Sequence, residues 1–200
     1  MSIRAGIVLA GGFARRFGER DKTLAELRGR PLIAHAVEPL QTVVDRVVVS
    51  CRREQLRRFQ DVLSDVEYRP DPTPDEGPLA GLDAALDDLE VDTVAVTTAD
   101  RPLVPAGLYR SLFESLSSEG VVIRADGIDQ PVPAVFDSTA LRTAVTKQRS
   151  RGTRRLRAVL DALEYTTIPS ETVEQQWGGD VLVDVNTPAD LTRLDDRSVR

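Results

Sequence analysis

For its first hundred residues the chain alternates short, β-branched apolar runs with amphipathic segments, and that order leaves few folds open. Ile7-Val8-Leu9, Arg46-Val47-Val48-Val49-Ser50, Val66-Glu67-Tyr68 and Val94-Ala95-Val96-Thr97-Thr98 read as strands, the continuous β-branched run at 46–50 as one buried on both faces. Between the first two, Leu32, Ile33, Ala36, Val37, Leu40 and Val44 recur at helical spacing. Pro31 suits the first position of that helix, and Pro39 is expected to kink or end it. His35, the only histidine, falls opposite the apolar stripe and is expected in solvent. Residues 53–63 and 82–89 read as the next helices, the first with Leu56, Phe59 and Leu63 turned inward. Strand–helix–strand order implies right-handed crossovers and a parallel sheet covered by helices on both faces.

The second half keeps the alternation less strictly. Residues 108–116, 138–145 and 153–163 read as helices, and 121–123, 130–136 and 165–168 as strands. A polar stretch at 170–180, around Trp177, is expected to be irregular. A last strand at 181–185 leads into Asn186, then a helix at 189–194 capped by Thr187 with Pro188 at its first position. No repeat or low-complexity tract divides the chain, so residues 1–200 are expected to form one domain.

In sheets of this kind ligands bind at the carboxyl ends of strands, where neighbouring connections diverge. Four atypical segments sit there: 10–22, 70–81, 99–102 and 186–188. The first breaks from its strand on Gly11-Gly12 and runs through Arg15, Arg16 and Gly18 to Asp21-Lys22. Glycines let a backbone approach a ligand closely, and successive N–H groups in such a loop cradle phosphate oxygens. With the positive charge of Arg15, Arg16 and Lys22 added, the loop reads as a polyphosphate site. It matches neither the dinucleotide glycine motif nor the P-loop. The basic residues are 24 arginines and two lysines, so a lysine kept inside this loop points to a need for a compact ammonium.

Asp100 ends the 94–98 strand and precedes Arg101-Pro102, a setting that suits either a magnesium ligand or a helix cap. Asn186 holds the corresponding place after the last strand, as a second oxygen donor or a plain turn residue. One cysteine, Cys51, and one histidine cannot furnish a Ser/His/Asp or Cys/His arrangement, an internal disulfide or a cysteine-rich metal site. A net charge of −6 argues against general nucleic-acid binding, and no apolar run is long enough to span a membrane. With no room for a signal peptide before the first strand, the chain is expected to be cytoplasmic.

The full pattern L-A-G-G-x-x-x-R-x-G-x-x-D-K at residues 9–22 resembles the signature loop of nucleotidyltransferases. It is most similar to that of the molybdenum cofactor guanylyltransferases. Gly77-Pro78-Leu79-Ala80-Gly81, Asp100-Arg101-Pro102, Gln130-Pro131 and Asp184-Val185-Asn186-Thr187-Pro188 follow in that family's order. The resemblance implies a single Rossmann-like three-layer α/β/α domain with a mainly parallel sheet. Its N-terminal part, about 1–102, would bind nucleotide and the remainder the acceptor. It implies transfer of GMP from GTP to the terminal phosphate of molybdopterin-bound molybdenum, with Mg²⁺ and release of pyrophosphate. Transient contacts with proteins that deliver or receive the cofactor follow from the same likeness.

Residue by residue, the likeness assigns catalysis to Arg16, Lys22 and Asp100, with Asp100 also holding the metal. It assigns nucleotide binding to Leu9, Ala10, Gly11, Gly12, Lys22, Asp71, Leu79, Ala80, Gly81 and Asp100, and acceptor binding to Gln130, Arg154 and Asn186. Gly81 is expected to leave room for a purine. Two departures stand out: Ser50-Cys51-Arg52-Arg53 where that family often has asparagine, and Phe17 for the commoner methionine. Related enzymes use CTP or attach GMP to a corrinoid or another phosphorylated acceptor, and a GTP-binding regulatory protein is the rival of another class. The intact set of Lys22, Asp100 and Asn186 favours turnover over mere binding.

Overall fold

A computed structural model describes residues 2–12, 21–71 and 76–197. Arg16 and the rest of 13–20 lie outside them. Strand β1 (Arg4–Leu9) runs inside a seven-stranded sheet, parallel to β4 (Arg46–Cys51) on one side and β6 (Thr93–Thr98) on the other. β5 (Glu67–Pro70) extends the parallel set beyond β4. Past β6 the direction changes. β8 (Ile128–Asp137) pairs antiparallel with β6 and with β7 (Gly120–Ala125), and β9 (Tyr165–Pro169) closes the edge parallel to β7. The order is therefore β5-β4-β1-β6-β8-β7-β9. A separate small hairpin joins β2 (Glu26–Leu27) and β3 (Arg30–Pro31).

Strand periodicity divides the core. Val8, Val47 and Val49 face one side of the sheet, under α1 (Leu32–Gln41), α2 (Leu56–Gln60), α4 (Ala106–Glu114) and α6 (Ser170–Trp177). Ile7, Leu9 and Val48 face the other, under α3 (Pro78–Leu86), α5 (Ser138–Ser150) and a 3₁₀ turn, Leu156–Ala162. The three-layer arrangement expected from the sequence is the one observed. A third, smaller cluster of Leu27, Leu32, Val185 and Leu194 docks α7 (Pro188–Arg197) against the β2–β3 hairpin.

Several expectations need correction. The 170–180 stretch holds α6, whose Val173 is fully buried. Residues 181–185 are not a strand: Val181 packs into the first core and Val185 into the third cluster, so their alternation serves two separate contacts. Helix α3 starts at Pro78 rather than 82, because Gly77 at φ +85° turns the chain and proline suits the first helical position. The expected helices at 53–63 and 153–163 shorten to a 3₁₀ turn plus α2, and to a 3₁₀ turn alone. Pro31 ends β3 and precedes α1, which Pro39 does not interrupt before Gln41. His35 is part-buried, its Nε2 donating to the Leu27 carbonyl at 2.8 Å, because α1 packs on the β2–β3 hairpin.

The prolines of β8 explain its irregularity. Val122 pairs with Ala134 and Ile123 with Gln130, leaving Pro131, Val132 and Pro133 outside the ladder, where a missing N–H costs nothing. Among the described residues, no helix is long and apolar enough to cross a membrane.

Candidate active site

The carboxyl ends of β1, β4, β5 and β6 open into a crevice of about 500 Å³. Parallel β1 and β4 deliver Leu9–Gly12 and Ser50 to its rim, and β5 delivers Asp71. From β6 come Thr98, Ala99 and Asp100. Gly77, Pro78 and Gly81 form the wall at the start of α3, and Asn186 approaches from the segment before α7. Val185 N–H donates to the Asp100 carbonyl at 2.8 Å, which fixes that segment against the end of β6.

Lys22 stands at the middle of the polar side. Its Nζ donates to Asp100 Oδ2 at 2.9 Å and to Asn186 Oδ1 at 3.1 Å. The three residues that the sequence singled out across 164 positions are therefore one hydrogen-bonded set. Asp21 caps the short turn of Lys22–Leu24, accepting from Thr23 N–H and Oγ1, and so aims Lys22 inward. Asn186 and Thr187 give their backbone N–H groups to Asp190 Oδ2 at 2.9 and 2.8 Å. The Asn186 N–H is the leading reason that the Asp190 carboxyl lies below its ordinary range.

Across the crevice, Ser50 Oγ donates to Asp71 Oδ1 at 2.9 Å. Burial raises the Asp71 carboxyl above its usual value, against the lowering effect of the Ser50 hydroxyl and Arg52. Gly11 and Gly81 let this pair come close. A Cβ on Gly11 would overlap Asp71 Oδ2, and one on Gly81 would lie 2.6 Å from Ser50 Oγ. On the side where a Cβ would stand, Gly81 thus makes room for the protein's own Ser50 and Asp71, while it still lines the crevice.

Behind the glycine loop, away from the crevice, sits a second polar group. Arg52 Nη1 donates to the carbonyls of Gly12 at 2.9 Å and Gly11 at 3.2 Å, and its Nε pairs with Glu54 at 2.9 Å. Gln55 Nε2 donates to the Ala10 carbonyl at 3.2 Å and to Asp21 Oδ2 at 2.8 Å, while its Oε1 accepts from Arg52 N–H. Arg101 is also buried, reaching both oxygens of Asp184 (2.5 and 3.3 Å) and the Val132 carbonyl at 2.6 Å.

Of the residues named from the sequence, Leu9, Ala10, Gly11, Gly12, Lys22, Asp71, Gly81, Asp100 and Asn186 line the crevice. Leu79 instead packs in the core under α3, and Ala80 is buried with its N–H on the Gly77 carbonyl. Arg154 is exposed beside Gly77, its carbonyl accepting from Leu79 N–H. Gln130 is not brought to the crevice; its Nε2 turns back to the Ile128 carbonyl. Arg16 lies outside the described residues. Ser50, Arg52, Gln55 and Thr98 were missed as site residues. The one available signal was that Ser50 and Thr98 are polar ends of otherwise apolar parallel strands. Cys51 is fully buried with its thiol pushed up to about 12, chiefly by that burial, which excludes a thiolate nucleophile.

The residues fit a magnesium ion that arrives on a nucleotide. No group of three or more His, Cys, Asp or Glu among the described residues forms a metal cage, whereas Mg²⁺ needs only one or two carboxylates beside phosphate oxygens. Asp100 offers such a carboxylate.

Comparison with known proteins agrees with this geometry. The family model for the MobA-like NTP transferase domain matches residues 6–167. A Haloferax mediterranei protein named "probable molybdenum cofactor guanylyltransferase" is 36% identical over 197 residues, covering 97% of this chain and 94% of the relative. The molybdenum cofactor guanylyltransferase of Shewanella halifaxensis is 31% identical, covering 94% and 92%. Among solved structures, molybdopterin-guanine dinucleotide biosynthesis protein A from Archaeoglobus fulgidus superposes with a TM-score of 0.79 at 23% identity, covering 98% of this chain and 99% of that one. This last likeness speaks to the fold alone. With the family's domain spanning most of its length and the glycine loop, Lys22 and Asp100 meeting in one crevice, the chain belongs to the MobA-like NTP transferase family, beside the molybdenum cofactor guanylyltransferases.

Proposed function

We propose that this protein is a Mg²⁺-dependent guanylyltransferase that moves GMP from GTP to the terminal phosphate of molybdopterin-bound molybdenum. An acceptor phosphate oxygen attacks the α-phosphorus, the bond to the β-phosphate breaks, and pyrophosphate leaves. The observation that carries the reading is the Lys22–Asp100–Asn186 set facing the amides of Gly11 and Gly12 across one crevice. Such a transfer needs in-line positioning and neutralisation of the departing charge more than covalent help. Lys22 supplies an ammonium and the loop supplies N–H donors. Asp100 would hold the metal, which would supply positive charge to offset that of the phosphates. The names of the relatives at 36% and 31% identity support guanine and the molybdenum cofactor as substrates.

The N-terminal part, about 1–102, takes the nucleotide, with Asp71 and Ser50 at the crevice wall. Asn186 and Arg154 flank the side left for the acceptor, and Gln130 has no part in this proposal. The enzyme works in the cytoplasm, alongside proteins that deliver or receive the cofactor. The test is pyrophosphate release with molybdopterin-bound molybdenum and each nucleoside triphosphate in turn. GTP is expected to exceed CTP in kcat/KM by on the order of 10²-fold, as the smaller base would leave polar groups in the partly closed site unpaired, at about 1–3 kcal/mol each. Chelator and Asp100→Asn should each abolish release. Equal use of GTP and CTP would overturn the guanylyl assignment, and full activity in chelator would overturn the metal role.

A further inference from the structure

Arg52 and Gln55 grip the glycine loop from behind, and neither lines the crevice. In a trans peptide the carbonyl and the following N–H point to opposite sides of the chain. Turning the Ala10 carbonyl onto Gln55 therefore turns the Gly11 N–H the other way, and turning the Gly11 carbonyl onto Arg52 does the same for the Gly12 N–H. Neither amide has an acceptor among the described residues, and both glycines border the crevice. Two free donors facing one way form the kind of concavity that takes an anion.

The grip is built as a unit. Gln55 is 1% exposed, and it accepts the Arg52 N–H while donating to the loop and to Asp21. The Arg52 side chain is 13% exposed, and its guanidinium is spent on protein: Nη1 on two loop carbonyls, Nη2 near Asp21 at 3.5 Å, Nε on Glu54. Asp21 is the residue that caps the turn carrying Lys22. One guanidinium thus references both the amides and the ammonium to the end of β4. A planar fork can hold such divergent partners, whereas the point charge of a lysine cannot.

We infer that Arg52, seated on Gln55, is a positioning residue that sets the Gly11 and Gly12 amides and the Lys22 turn to receive the nucleotide's phosphates. It acts without touching the nucleotide. The inference rests on the proposal that the crevice takes a nucleoside triphosphate, and its test separates the two. GTP and inorganic tripolyphosphate binding are measured by calorimetry on the unaltered protein, Arg52→Lys and Arg52→Ala, together with thermal midpoints. Arg52→Lys keeps the charge and loses the fork. It should weaken GTP and tripolyphosphate alike by about tenfold, the worth of one charge-assisted hydrogen bond, and lie within about threefold of Arg52→Ala. KM for GTP should rise by the same factor, with kcat at saturation changed less than about threefold, since the groups at the reacting phosphorus remain. Arg52→Lys binding as the unaltered protein does would reduce Arg52 to a general positive charge and overturn the inference. A lowered midpoint with unchanged GTP affinity would make it structural only and overturn it too. If the unaltered protein bound neither probe, the reading of the crevice itself would fall, and the inference with it.

Discussion

Lys22 is one of two lysines in a chain with 24 arginines, and its setting explains why an ammonium is kept there. Three donors on one point reach Asp100 and Asn186 and leave one for a phosphate oxygen. Lys22→Ala should cost about 2–4 kcal/mol of transition-state stabilisation, the range for one preorganised donor. Steady-state kcat/KM within about threefold of the parent would remove Lys22 from that role. Asp71 carries the opposite kind of burden. Because burial raises its carboxyl, the native state favours the protonated acid, and this stabilisation is complete below the ordinary carboxylate range. It is lost as pH rises through the raised native value. Asp71→Asn, which keeps an oxygen for the Ser50 hydroxyl, should therefore raise the thermal midpoint at neutral pH. The gain should fade below about pH 4, where the unfolded-state carboxyl is itself protonated. A pH-independent difference in scanning calorimetry would show that the charge is not the cause.

Among the elements, β1 and α1 approach closely at Gly6. A Cβ on Gly6 would lie 2.9 and 3.1 Å from the two Cδ atoms of Leu40 and 3.2 Å from its Cβ. The methyls can rotate aside, but the Leu40 Cβ cannot, so Gly6→Ala must shift α1 by a few tenths of an ångström. Overpacking of this kind costs about 1–3 kcal/mol, to be read from urea unfolding. An unchanged midpoint would mean that α1 is free to shift. The β8 segment shows the converse device. Its Pro131-Val132-Pro133 excursion leaves the ladder and presents the Val132 carbonyl to Arg101. Irregularity in the strand thereby becomes an attachment point for the end of β6.

For the molecule as a whole, Arg101 joins three parts that the sequence keeps apart: the end of β6, the β8 excursion and the segment before α7. That segment carries Asn186 to Lys22, so the crevice depends on the attachment. Arg101→Ala would leave the Val132 carbonyl and Asp184 without their donor. Asp184 is 39% exposed and regains water, so the loss should be about 2–3 kcal/mol, below that of a fully buried pair. Urea unfolding measures this, and turnover should fall further than stability alone accounts for because Asn186 loses its placement. Full activity in a folded Arg101→Ala protein would show that Asn186 is positioned by other contacts.

The sequence by itself determined the layered architecture. Ile7-Val8-Leu9 and Val47-Val48-Val49 are apolar on both faces, and only a sheet covered on both sides satisfies them. It also determined where much of the chemistry gathers, because Gly11-Gly12 and Asp100 follow apolar runs that form parallel strands, and such ends converge. Asn186 follows no strand and reaches the crevice through the segment held against Asp100. Local pattern could not show that Val181 and Val185 serve two clusters instead of one strand, since alternation records burial and not what does the burying. Nor could it show the partners of His35, Gly81 or Arg52. Each of those contacts joins residues whose distance is set by how layers pack. For Arg52 the loop lies 40 and 41 positions away in sequence, yet within 3.2 Å once β1 and β4 lie side by side.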